Sequence, residues 1–192
     1  MAKTKPAKHS WKDIRSVLTK ASHRDLLGLI SDLYALRKEN QIFLHARFIR
    51  DGNTLTPYKE TIEQCISPAE PWKHPIKTSL ARKAISDYRK AVGDPEGLAE
   101  LMLFYAECGV DFTLEFGDID EPFYNSVEGV FSDGLKILKR CEPDFVGKLL
   151  PRFVNAVQST EGMGWGFHDG LLDTLETHFP GAWEDCQKGR EA

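Results

Sequence analysis

The stretch "DPEGLAELMLFYAEC", residues 94–108, decides the fold of this 192-residue chain. Asp94 can cap a helix, and Pro95 suits the first helical position, where a missing N–H costs nothing. Apolar residues surround most of this helix, and a helix that is apolar nearly all round is usually buried on several sides. The stretch therefore predicts a central buried helix. Gly109 is well placed to end it as a left-handed C-terminal cap.

Helical patterns continue on both sides of the central helix. Ser10 and Ser22 are each followed three residues later by an aspartate, which is the spacing of an N-terminal capping box. Further apolar residues recur at helical spacing, and no segment shows sustained period-two alternation. The pattern predicts an all-α fold of about eight or nine helices, arranged as stacked helical hairpins or an irregular α-α superhelix.

Composition and the positions of prolines predict the domain limits. Residues 1–9 carry three lysines and no apolar periodicity, so they predict a disordered basic arm. Residues 10–180 are expected to form a single helical domain, and residues 181–192 a weakly ordered tail. The stretch "SPAEPWKHP", residues 67–75, holds three prolines and predicts a long loop inside that domain.

Charge, cysteines and hydropathy narrow the class of protein. The net charge is −4, whereas nucleic-acid binding needs a clustered excess of Lys and Arg, so no nucleic-acid partner is expected. Four cysteines lie far apart behind no secretory signal, which favours free thiols in a reducing compartment. The longest apolar run, "LMLFYA", is far too short to cross a bilayer. We therefore expect a soluble, cytoplasmic protein without a membrane partner.

The acidic stretch "EFGDIDEPFYNS", residues 115–126, is one place that could carry chemistry. Its carboxylates are Glu115, Asp118, Asp120 and Glu121, and such oxygens suit Mg²⁺ or Ca²⁺. The EF-hand pattern is absent. The favoured interpretation is structural: Asp120 caps a helix, Glu121 complements the helix dipole in the first turn, and Asp118 lies in the turn before them.

The glycine-rich stretch "GMGWGFHDG", residues 162–170, is the second place that could carry chemistry. Its glycine spacing does not fit a dinucleotide fingerprint, and it holds no Lys or Arg for a phosphate. The favoured interpretation is a loop that brings Trp165 and Phe167 onto the core, its glycines supplying positive φ or close backbone approach. His168 and Asp169 form the only His–acid pair beside a loop. A lone histidine there is more typical of a hydrogen-bonded structural residue, so no catalytic residue, metal ligand or cofactor is assigned.

These two stretches, together with "LAELMLFYAECGV" before the first, resemble an uncharacterised family of small bacterial helical proteins classed as a domain of unknown function. The resemblance covers roughly residues 75–175 and rests on "FGDIDEPFYNS" and "GWGFHD". It implies a bacterial, all-helical, cytoplasmic protein. It implies no activity, so no catalytic residue is carried over.

The leading functional hypothesis is a non-enzymatic helical module that binds a protein partner, or a second copy of itself, through a groove. Its candidate binding surface comprises Phe116, Asp118, Asp120, Glu121, Tyr124, Trp165, His168 and Asp169. The alternative is a metal-dependent enzyme or metal-binding protein, in which the acidic residues 115–121 converge with His168 and Asp169. The two hypotheses differ in whether those side chains share one partly buried pocket.

Overall fold

The computed structural model describes residues 10–164 and 166–188, in which all regular structure is helical. These residues form α1 (Trp11–Leu18), α2 (His23–Leu36), α3 (Lys38–Phe48), α4 (Thr56–Ile66), α5 (Thr78–Ala91), α6 (Pro95–Phe116), α7 (Glu121–Leu138), α8 (Pro143–Gln158), α9 (Phe167–His178) and α10 (Ala182–Lys188). The all-α prediction is confirmed. The predicted basic arm, residues 1–9, lies outside the described residues.

The chain divides into two compact units on either side of the Leu44–His45 bond. The single domain predicted for residues 10–180 therefore stays a prediction, and each unit is described by itself. Within the described residues, no helix is both long and apolar enough to cross a membrane. All four cysteines are free thiols, two of them buried.

The first unit contains α1, α2 and the beginning of α3. Ser22 and Asp25 form the predicted capping box of α2, with the hydroxyl of Ser22 donating to the carboxylate at 2.7 Å. A second capping box begins α1. At the other end of α2, the side-chain amide of Asn40 donates to the carbonyl oxygen of Leu33 at 2.6 Å. Local hydrogen bonds thus define both ends of α2.

In the second unit, α6 lies at the centre and packs against α4, α5, α7 and α8. Its cap is as predicted, because the carboxylate of Asp94 accepts from the backbone N–H of Gly97 at 2.8 Å. The prediction that Gly109 ends this helix is wrong. α6 continues to Phe116, and Gly109 lies inside it, where an added Cβ would approach a methyl group of Val127 to 2.6 Å. Because Gly109 has no side chain, α6 and α7 can approach each other closely at this position, and no left-handed turn forms here.

An ion-pair network joins α6 to α4 and α8. The guanidinium of Arg152 binds both carboxylate oxygens of Glu107, at 3.0 and 2.6 Å, and one oxygen of Glu100 at 2.7 Å. Lys59 binds the other oxygen of Glu100. The two glutamates lie two turns apart on one face of α6, so one arginine reaches both. The network fixes α8 against the central helix.

The C-terminal part of the described residues contains one further helix. Residues 182–188 of the predicted weakly ordered tail form α10. The carboxylate of Glu176 accepts hydrogen bonds from the backbone N–H groups of Gly181 at 2.8 Å and Trp183 at 3.0 Å. A side chain of α9 thereby satisfies N–H groups at the start of the last helix, which a sequence pattern alone does not reveal.

Candidate functional site

The acidic stretch forms the turn between α6 and α7. Gly117 leaves the end of α6 with a φ of 82°. Asp120 then begins α7 as its N-cap, accepting a hydrogen bond of 2.8 Å from the backbone N–H of Phe123. Glu121 lies exposed in the first turn of the same helix. The structural interpretation of Asp120 and Glu121 is therefore confirmed.

The acidic and glycine-rich stretches meet at Asp118 and Tyr124. The Tyr124 hydroxyl donates to Oδ1 of Asp118 at 2.9 Å and accepts from the backbone N–H of Ile119 at 3.3 Å. The ring centroids of Tyr124 and Phe167 lie 4.5 Å apart. At Gly164, an added Cβ would lie 3.1 Å from Oδ2 of Asp118. Backbone from one stretch thus lies close to a carboxylate of the other.

His168 faces the end of α8. Its Nδ1 lies 3.0 Å from the Thr160 hydroxyl and 3.2 Å from the carbonyl oxygen of Val157. A carbonyl only accepts, so this geometry favours the tautomer with a proton on Nδ1. The ring of Trp183 lies 6.1 Å away, centroid to centroid. His168 therefore ties α9 to α8 and α10, as the structural interpretation predicts, while its neighbour Asp169 is exposed.

The meeting point resembles a packed core more than a pocket. Of the aromatic side chains in the two stretches, Phe123, Tyr124 and Phe167 are buried, and Phe116 is 37% exposed. Trp165 lies outside the described residues. In the part of the chain that the structure describes, no three His, Cys, Asp or Glu side chains come together to hold a metal ion. The binding of a partner by the candidate surface stays a prediction.

A different feature of the structure is the exposure of the two amphipathic helices α1 and α2. No residue of α1 or α2 is buried, although both helices are amphipathic. Their large exposed apolar side chains have between 37% and 69% of their surface accessible. They are Trp11, Ile14 and Val17 in α1, and Leu27, Leu29, Ile30, Leu33, Tyr34 and Leu36 in α2. At 100° per residue, the set in α2 covers roughly half of the helix circumference.

Sequence reasoning missed the Glu100–Arg152–Glu107 network. The spacing of the two glutamates, seven residues within a predicted helix, was the available signal, because such residues share a face. Nothing in the sequence indicated that Arg152 lies opposite them. Although burial raises the pKa of Glu100, the hydrogen bonds from Lys59 and Arg152 lower it overall. The carboxylate is therefore ionised at neutral pH and occupied by its partners.

Comparison with known proteins adds no relative. No family model, no curated protein and no solved structure matches the chain. The resemblance of residues 75–175 to a bacterial helical family stays a prediction.

Proposed function

We propose that the protein is a non-enzymatic helical interaction module that binds a protein partner through α1 and α2. The observation that carries the proposal is the absence of any buried residue in these two helices, despite their wide apolar faces. A bacterial, cytoplasmic setting belongs to the proposal and is supported by the family resemblance and the four free thiols.

The apolar faces of α1 and α2 need a cover to be stable. Helices of 8 and 14 residues are marginal in water on their own, because most helical stability comes from packing an amphipathic face. Leu29 and Leu33 are one turn apart, and 40% and 44% of their surfaces are exposed. Burying a leucine fully stabilises by about 1.5–3 kcal/mol. A partner that covers both side chains would gain a few kcal/mol from them alone.

The charge of the same region favours an acidic partner. Residues 1–44 contain nine Lys and Arg against four Asp and Glu, a net charge of +5, whereas residues 45–192 contain 16 against 25, a net charge of −9. The carboxylates of Asp13 and Asp25 are engaged by the hydroxyl groups of their own N-cap serines. Basic residues therefore outnumber acidic ones in the part of the sequence that carries the apolar faces. An acidic protein surface with an apolar centre complements them.

The test compares two variants that remove exposed leucine from different units. Leu29→Ser/Leu33→Ser removes apolar surface from α2, and Leu80→Ser removes a leucine of α5 that is equally exposed, at 46%. Immobilised wild-type protein should retain an acidic protein that elutes with salt. The α2 variant should bind that purified protein at least about 100-fold more weakly, while the α5 variant binds normally.

Circular dichroism of each variant controls for folding, and sedimentation velocity over a range of concentrations shows whether the acidic partner is a second copy. Equal binding by all three proteins would refute the proposal, as would a purified partner that is basic. Binding to anionic lipid vesicles with no protein partner would also refute it, because that result assigns the apolar faces to a membrane surface.

A further inference from the structure

A cleft of about 480 Å³ lies in the second unit, where the ends of α5 and α7 flank the start of α6. Three cations line it: Arg89 from the last turn of α5, Lys136 from the last turn of α7, and Arg140 from the turn that follows α7. Its apolar lining includes Leu98 and Ile137. Positive charge thus faces the cleft from two different helices.

The two arginines of the cleft are available to a ligand. Lys136 pairs with Asp133 at 3.1 Å, and this is the only carboxylate that lines the cleft. Within residues 10–164 and 166–188, the guanidinium groups of Arg89 and Arg140 have no hydrogen bond and no ion pair. By contrast, Arg152 binds two carboxylates in the same unit. The lining therefore carries a net charge of +2 in a unit whose net charge is −9.

Two further acidic residues near the start of α6 could offset the positive charge of the cleft. Asp94 is occupied, because its two oxygens accept hydrogen bonds from Tyr88 at 2.6 Å and from Gly97 at 2.8 Å. Glu96 is exposed in the first turn of α6. Neither carboxylate lines the cleft.

From this arrangement we propose that the cleft binds a small molecule that carries a phosphate group on an apolar body. Arginine presents a planar fork of donors that matches phosphate oxygens, and two such forks from different parts of the lining can hold one group. The volume exceeds that of a bare phosphate ion and falls within the range of small-molecule sites, roughly 300–1,000 Å³. Leu98 and Ile137 can contact the rest of the ligand.

The experiment titrates the full-length protein with phenyl phosphate and, separately, with inorganic phosphate, by calorimetry at low ionic strength. Phenyl phosphate should bind more tightly than inorganic phosphate, and added salt should weaken both. Arg89→Gln and Arg140→Gln should each raise the Kd for phenyl phosphate by about tenfold or more. The methyl resonances of Leu98 should shift on binding, which places the ligand in the cleft.

Lys148→Gln is the matched control, because it removes an exposed cation of α8 outside the cleft. It should change the Kd by less than about twofold. An equal effect of all three variants would overturn the proposal, since binding would then follow general surface charge. Absence of binding, with each variant folded, would also overturn it. In that case, the cations serve only to complement the carbonyl ends of α5 and α7.

Discussion

Replacing Tyr58 by phenylalanine should stabilise the protein. Tyr58 is 4% exposed, and within the described residues its hydroxyl oxygen is buried without a hydrogen-bond partner. Its ring packs edge-on against Tyr88, with 5.2 Å between ring centroids. Tyr88 differs in one respect, because its hydroxyl donates to the carboxylate of Asp94 at 2.6 Å. The two tyrosines therefore form a matched pair, one with a partner and one without.

The expected magnitudes follow from that difference. A buried polar group without a partner costs about 1–3 kcal/mol, so Tyr58→Phe should raise the free energy of unfolding by about 1 kcal/mol. Tyr88→Phe should lower it by about 1.5–3 kcal/mol, since it removes a hydrogen bond to a charged group. For a chain of this size, each kcal/mol corresponds to roughly 2–4 °C in Tm.

The assay is urea unfolding at neutral pH and again above pH 10. Burial is the main cause that raises the pKa of Tyr58 to about 12, and the negative charge of Asp87 adds to it. An acid whose pKa rises on folding stabilises the native state below its unfolded pKa of about 10, and this contribution is lost as the pH rises toward 12. Tyr58→Phe should therefore lose less stability in alkali than wild type. A loss of 1 kcal/mol or more at neutral pH, as a rough threshold, would refute the reasoning, because it would show that the hydroxyl has a partner in solution.

Three other substitutions, two of them paired with a control, test the packing, the ion pairs and a hydrogen bond. Gly109→Ala should cost about 1–3 kcal/mol because its methyl group would overlap a valine of α7, whereas Gly147→Ala, with nothing within 4 Å, should gain about 0.5–1 kcal/mol in urea unfolding. Glu100→Gln should flatten the acid unfolding curve. The folded pKa of Glu100 is lowered, so its stabilisation is complete above the unfolded pKa and is lost as the pH falls through the folded one. His168→Ala should lower the Tm, and Asp169→Ala, at an exposed position, should leave it nearly unchanged.

Structural features that depend on only a few neighbouring residues could be predicted from the sequence. The caps at Ser22, Asp94 and Asp120 all occur as expected, because a cap depends on one side chain and a backbone N–H three residues later. The all-α fold follows from the same kind of signal, namely apolar spacing within each helix. These features need no knowledge of which helices become neighbours.

Features that depend on a neighbouring helix could not be predicted in this way. Gly109 suits either a helix end or a close helix contact, and only the position of Val127 decides between them. Arg152 lies 45 residues from Glu107, so their pairing depends on how α6 and α8 pack. Similarly, the apolar pattern of α2 predicts a face, yet its exposure became visible only in the structure.

The glycine-rich stretch shows why a packed turn can imitate a ligand site. Gly162 and Gly166 have φ values of 82° and 69°, which other residues rarely adopt. Gly164 and Gly170 instead face carboxylates, since an added Cβ would lie 3.1 Å from Asp118 and 2.8 Å from Glu128. Backbone conformation at two of the glycines and close packing at the other two thus account for all four without a ligand.

The same geometry separates packing from metal binding at Asp118. Gly164→Ala would push a methyl group against the Asp118 carboxylate, one oxygen of which already accepts from Tyr124. A carboxylate can shift by a few tenths of an ångström, so we expect a loss of about 1 kcal/mol, measured by thermal unfolding. The loss should be the same with Mg²⁺ and with EDTA. A loss that appears only with Mg²⁺ would contradict this reasoning, because a divalent ion that binds the native state stabilises it, and its displacement would then be the cause.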